Sequence, residues 1–280
     1  MGHMTVESEL HIVTDSTCDL PDAEGYTKIP AIVTIEGKDY FDGLDITPPE
    51  ILRVMEEEKV VPTTGAPGPE YIKTILRELQ GKIVAIHVAE KLSGFLSSVK
   101  TAASQLNLGE KIAFFDSGVT SVALGHMVTE AVRLRDEGRP TDEIMRHLES
   151  LRERVKIWVT FDTLENARRS GRISNVRAVM GSILDIKPIL GLANGEFFQI
   201  EMMRTRKKAI ERLLSLVAES GPFEWLGVVH ARALEEAQNL AERLKDLVPH
   251  AIGVTHLGPA LSIHGGPGVL GACGFTQKIE

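Results

Sequence analysis

Only two cysteines occur in the 280 residues, Cys18 and Cys273, and they form no Cys-x-x-Cys pair. No grouping of Cys and His has zinc spacing, so neither a disulfide framework nor a structural metal is implied. Long apolar runs are missing as well: no stretch reaches the roughly 18 residues needed to span a bilayer. The N-terminus carries no signal peptide, and Gly2-His3-Met4 reads as a cloning remnant. These absences predict a cytoplasmic protein. Positive charge is scarce, with 31 Lys and Arg against 39 Asp and Glu, a net charge of −8. A nucleic-acid or anionic-membrane surface is therefore not expected, and Arg168-Arg169 and Lys207-Lys208 are the only local basic candidates. The Walker loop Gly-x-x-x-x-Gly-Lys is absent, which excludes that mode of ATP binding.

What is present is an ordinary globular composition, 43% hydrophobic and 25% charged, in a chain long enough for two cores. The stretch Ile83 to Ser98, IVAIHVAEKLSGFLSS, organises the reading: a buried strand, a charged turn at Glu90-Lys91, and a helix opening at Leu92-Ser93-Gly94. Ser93 has the side chain preferred at an N-cap, and Gly94 lets a ligand approach the backbone. The free N–H groups of the first turn would suit an anion. Capping and nothing more is the structural alternative for Ser93.

Other strand ends repeat the pattern. Leu10 to Thr14 runs into Asp15-Ser16-Thr17, where Asp15 serves equally well as a helix cap or as an acid at a ligand site. Lys111 to Phe115 runs into Asp116-Ser117-Gly118. Ile29 to Ile35 alternates as a strand, and Gly37 to Asp42 reads as a turn. Thr47-Pro48-Pro49-Glu50 has a helix-start signature, and Pro62 to Glu70 reads as a rigid loop feeding a helix with Ile72, Ile75, Leu76 and Leu79 inward. Strand and helix alternate up to residue 155, which predicts a mainly parallel sheet flanked by helices. Its carboxyl edge would gather Asp15, Thr63, Thr64, Ser93 and Asp116.

After Val155 the pattern renews, and the domains are placed at 5–155 and 156–280. Ile157 to Phe161, Glu196 to Glu201, Trp225 to His230 and Ala251 to Leu257 read as strands. Val176, Val179, Met180, Ile183 and Leu184 share one face of a helix, and so do Leu234, Ala237, Ala241, Leu244 and Val248. Arg204 to Lys208 is a basic knot at a helix start. His264 to Gly268 reads as a glycine-rich loop whose N–H groups and proline suit an anion and a new helix turn.

Six segments in order, VTDSTCDLP, VPTTGAPGPEYI, KLSGFLSSVKTAA, FFDS, FDTLENARRSGRIS with MGSILDIKPIL, and LSIHGGPGVLG, resemble the DegV family of bacterial fatty-acid-binding proteins, the B subunits of fatty acid kinase. The resemblance implies a two-domain α/β fold that buries a long-chain fatty acid such as palmitate and has no cofactor. It implies a carboxylate held at Thr63, Thr64 and Ser93, with Arg172 and His264 beside it; the strand-end and glycine readings add Gly94, with Asp15, Ser16, Asp116 and Gly265 at the edge of the site. It further implies no catalysis by this chain alone. The acid would instead be presented to a separate ATP-binding kinase subunit for acyl-phosphate formation, in phospholipid metabolism, with the basic knot as a docking candidate. The chain departs from the family where Gly65-Ala66 replaces the common Ser-Gln and Phe95-Leu96 the common Thr-Tyr. The first removes polar groups from the head-group loop, and the second makes the start of the anchor helix more apolar.

An alternative reading is a serine hydrolase acting through Ser93 and His264, with Asp15 as the orienting acid. Ser93, however, lacks the Gly-x-Ser-x-Gly elbow that aims such a nucleophile.

Overall fold

A computed structural model describes residues 9–22, 25–173, 176 and 186–278. The chain opens with β1 (Leu10–Asp15), β2 (Thr27–Ile29), the hairpin β3 (Ile32–Ile35) and β4 (Lys38–Phe41), α1 (Pro48–Glu57), β5 (Thr63–Gly65) and α2 (Pro69–Glu78). It continues with β6 (Lys82–His87), α3 (Phe95–Gln105), β7 (Ile112–Asp116), α4 (Ser121–Asp136) and α5 (Thr141–Arg154). The remaining elements are β8 (Val155–Thr160), α6 (Glu165–Arg169), β9 (Lys187–Ala193), β10 (Glu196–Met203), α7 (Arg206–Ala218), β11 (Phe223–His230), α8 (Leu234–Leu244), β12 (Gly253–His256), α9 (Pro259–Gly265) and β13 (Leu270–Thr276). The helix face assigned to Val179, Met180, Ile183 and Leu184 lies outside the described residues. Among the described residues no helix is long and apolar enough to cross a membrane.

Among the described residues the strands form three sheets. The first is four-stranded and parallel, in the order β2-β1-β6-β7. In its inner strand β6 every residue after Lys82 is buried, as expected of a parallel strand covered on both sides. The covering comes from α2 through α5, whose Ile72, Leu76, Val99, Leu124, Met127 and Leu148 join one core with the strands. The second sheet has six strands in the order β10-β9-β8-β13-β11-β12, antiparallel except for the β11–β12 pair. Its own core is closed by α7 and α8 through Leu213, Val217, Leu240 and Leu244.

The third sheet corrects three expectations. Ile29 to Ile35 is two strands, because Pro30 has no N–H to continue a ladder. β2 stays on the parallel sheet, and β3 leaves to pair with β4 and β5. The expected turn over Gly37 to Asp42 is therefore mostly strand β4, with only its tip turning at Gly37 (φ 81°). Thr63 and Thr64 lie in β5 rather than a loop, opposite Thr34 and Val33.

The C-terminal stretch is a further correction. His264 and Gly265 end α9 instead of opening a helix, and the glycine-rich residues after them lead into β13, in the middle of the second sheet. Glycine hides this strand in the sequence, yet packing requires it. A Cβ at Gly274 would stand 2.5 Å from Leu226, and one at Gly227 of β11 would stand 2.5 Å from Trp225, so neighbouring side chains lie flat across these positions.

Candidate functional site

A largely apolar cavity of about 190 Å³ lies between the carboxyl edge of the parallel sheet, α9 and the inner strands of the second sheet. Ile157, Val159 and Phe161, Leu192, Phe197 and Val269 supply much of its wall. Thr64, Ser93, Gly94, Arg172, His264 and Gly265 line it too. Two solvent-facing pockets adjoin this polar group: one shares Ser93, Gly94 and Arg172 with the cavity, the other Thr64, Arg172 and His264. Thr64, Ser93, Arg172 and His264 therefore lie at the mouth of the cavity, and the wall away from them is mainly apolar.

β5 and α9 meet at the mouth, where Thr64 Oγ1 and His264 Nε2 are 2.7 Å apart. Burial, aided by the Arg172 charge, pushes the His264 imidazole down to about 4, so it is neutral near pH 7. Its Nδ1 is buried and has no partner among the described residues. Arg172 donates through Nε to Leu92 O (3.3 Å) and through Nη1 to Ser170 O (2.5 Å), which fixes the guanidinium beside the turn that precedes α3. Gly94, not Ser93, is the N-cap of α3, and no side chain caps that helix. This corrects the expected cap: Ser93 N donates back to Ala89 O, which places Ser93 in the preceding turn, with its side chain on the cavity wall.

Of the remaining expected site residues, Thr63 is exposed and lines only the outer pocket. Asp15, Ser16 and Asp116 do not line the cavity. Asp15 is fully buried and accepts from Thr17 N and Oγ1, from His87 Nδ1 at 2.9 Å and from Val88 N at 3.0 Å, tying the ends of β1 and β6 together. Asp116 accepts from Glu90 N and Gly118 N, joining the loops after β6 and β7. Ser16 donates to Asp42 at 2.5 Å and accepts from Ala31 N. The glycines after α9 are not an anion nest, because Gly266 N and Gly268 N are bound to Ser262 O and Ala231 O. Of the basic knot, Arg206 turns inward to Glu236.

The triad of the hydrolase reading is not assembled. Asp15 holds His87, His264 is engaged with Thr64, and no Ser93–His264 hydrogen bond exists among the described residues. Two residues that sequence reasoning passed over position the site. Asp42 Oδ1 accepts from Ala260 N at 3.0 Å and Asp19 Oδ1 from Gly258 N at 2.9 Å, so two carboxylates hold the N-terminal end of the helix that carries His264. Burial raises both groups, Asp19 to about 7. Asp42 directly follows β4 and Asp19 ends the short turn after β1, so their only sequence signal is an acid close to a strand end. At the departures noted above, Gly65 and Ala66 line the cavity without polar side-chain atoms. Phe95 lines it as well and stacks on His87, with ring centroids 5.5 Å apart.

Among the described residues no cluster of His, Cys, Asp and Glu could hold a metal.

Residues 9–277 match the family model described as "Uncharacterised protein, DegV family". A DegV domain-containing protein of Streptomyces coelicolor is 31% identical over 273 residues, covering 93% of this chain and 96% of its own. One from Halalkalibacterium halodurans is 29% identical over 283 residues, covering 97% and 100%. Among solved structures, a DegV family protein from Thermus thermophilus described as fatty acid binding superposes with a TM-score of 0.88 at 28% identity, covering 96% of this chain and 99% of its own. The fatty acid binding protein DegV from Bacillus subtilis gives 0.85 at 28% identity, covering 96% and 100%.

Proposed function

The chain belongs to the DegV family, and from that premise we propose that it binds a long-chain fatty acid, tail in the apolar cavity and carboxylate at Thr64, Ser93, Gly94, Arg172 and His264. The observation that carries this reading is a single, mainly apolar cavity with a cluster of hydrogen-bonding groups at its mouth. Each methylene taken out of water contributes about 0.8 kcal/mol, so a long tail offers roughly 10 kcal/mol before ordering costs. The carboxylate gains little net energy on leaving water unless several donors meet it. Tail burial then supplies affinity, and the donors fix orientation. When the Thr64 hydroxyl donates to His264 Nε2, the ring proton sits on Nδ1, and a buried N–H is free for a carboxylate oxygen.

We further propose that the protein is a carrier. It would present the acid to a partner ATP-dependent fatty acid kinase subunit for acyl-phosphate formation, with no turnover of its own. Three features support this: the unassembled triad, the absence of a Walker loop, and a mouth that adjoins solvent on two sides. Extraction and mass spectrometry of the purified protein, followed by titration with palmitate, test the binding step. Neither copurified nor titratable fatty acid would overturn it. A kinase subunit with ATP and palmitate tests presentation: acyl phosphate should form only when this chain is added. Hydrolysis of a p-nitrophenyl ester that disappears in Ser93→Ala would instead revive the hydrolase reading.

A further inference from the structure

Away from the mouth, the cavity wall carries a second group of hydroxyls. Thr17 follows β1, and Thr120 and Ser121 lie where the chain passes from β7 to α4. All three line the cavity, and none lines either of the solvent-facing pockets at its mouth. Two have committed their protons: Thr17 Oγ1 donates to Asp15, and Ser121 Oγ donates to Asp19. Thr120 differs. It holds the N-cap position of α4 with extended backbone (φ −151°, ψ 179°), yet its side chain makes no cap hydrogen bond. Its Oγ1 is closed off from solvent and has no partner among the described residues. Thr14 and Thr160 share that condition, but both sit within strands and neither lines the cavity.

A buried hydroxyl without a partner is unfavourable, and native structures rarely leave one. The cavity lining is mainly apolar, with Val122, Ile157 and Cys273 part of it, so the natural partner for Thr120 is the occupant of the cavity. Thr120 can donate and accept. Thr17 and Ser121, with their protons committed, can only accept. A group that both accepts from Thr120 and donates to a neighbouring oxygen suits this set better than a carbonyl or an ether. We propose that Thr120, with Thr17 and Ser121, forms a subsite for a hydroxyl carried on the hydrocarbon chain, so that the protein accepts hydroxylated fatty acids. The inference rests on the fatty-acid reading above.

The test measures Kd for stearic acid and for the positional series of monohydroxystearic acids, with the wild type, Thr120→Val and Thr120→Ser. One isomer should bind the wild type at least as tightly as stearic acid, because only one chain position brings its hydroxyl to Thr120. Thr120→Val, of the same shape, should weaken that isomer about tenfold and leave stearic acid within about twofold, while Thr120→Ser should keep the wild-type preference. If every isomer binds more weakly than stearic acid by a factor that Thr120→Val does not change, a water serves Thr120 and the subsite is overturned. Should the valine variant not fold, the wild-type series decides by itself. Failure of stearic acid to bind would overturn the fatty-acid reading and the subsite together.

Discussion

Thr64 and His264 are 200 residues apart in sequence, yet their Oγ1 and Nε2 atoms meet at 2.7 Å across the mouth of the cavity. β5 brings one and the last turn of α9 the other, so the contact joins the third sheet to the helix held by Asp19 and Asp42.

The two adjacent threonines should separate in function. Thr64→Val removes the hydroxyl facing His264 and should weaken palmitate binding by about 1 to 3 kcal/mol. Thr63→Val, at an exposed position of β5, should leave affinity unchanged. Isothermal titration of both variants checks this, and equal effects would contradict the placement.

Gly94 has backbone angles open to any residue (φ −75°, ψ 10°), and a Cβ there would meet no atom within 4 Å. Gly94→Leu should therefore fold with a melting temperature close to wild type while filling the head-group end of the cavity and abolishing long-chain binding. Gly94→Ala should fold equally well and bind more weakly than wild type. Thermal denaturation and ligand titration on the same samples distinguish blocking from unfolding.

Burial holds His264 neutral, with its imidazole pushed down to about 4. A bound carboxylate would favour the imidazolium and raise that value, so binding would take up protons. Affinity should then strengthen as the pH falls from about 7 toward 5, and the slope should vanish in His264→Asn. Titrations in buffers of different ionisation enthalpy report the proton uptake directly.

His126 of α4 is stacked on Trp225, with centroids 4.4 Å apart, and packs against Phe275, linking α4 to the second sheet. Burial pushes its imidazole from 6.5 down to about 4. The unfolded chain therefore binds more protons between those values, and stability is lost as the pH falls through that window. The loss should reach about 2 to 3 kcal/mol from this residue. Chemical denaturation of His126→Phe between about pH 7 and 4 should show a smaller acid loss than wild type.

Asp15 and His87 are both fully buried and paired at 2.9 Å. Asp15→Ala would strip acceptors from His87, Val88 and Thr17 together, and should destabilise the protein by about 3 to 5 kcal/mol. A urea midpoint that does not move would contradict this structural role.

Much of the architecture was legible from local pattern. The apolar run of β6, the i, i+3, i+4 stripe of α2 and the alternation of strand with helix are properties of neighbouring residues, and hydrophobic periodicity reports them directly. The Leu-Ser-Gly turn was legible for the same reason, whereas Arg172 and His264 were grouped with Thr64 and Ser93 only by the resemblance of their segments to the family. Where the sequence misled, a residue's reason lay elsewhere in the chain. β13 has no strand signal in the sequence because its glycines make room for Phe223 and Leu226, which precede them by about fifty residues. Asp15 reads equally well as a cap or as a site acid; it does cap the turn after β1, and nothing nearby in sequence reveals His87 as its further partner. Asp42 was counted only as the end of a turn, because the N–H it accepts belongs to Ala260, 218 residues later. Sequence alone determined which segments could be strands and helices, since that follows from the period of burial along one element. Only the tertiary structure decided which polar groups face the cavity and which are used up holding it, because hydrogen-bond partners are assigned by distance in space.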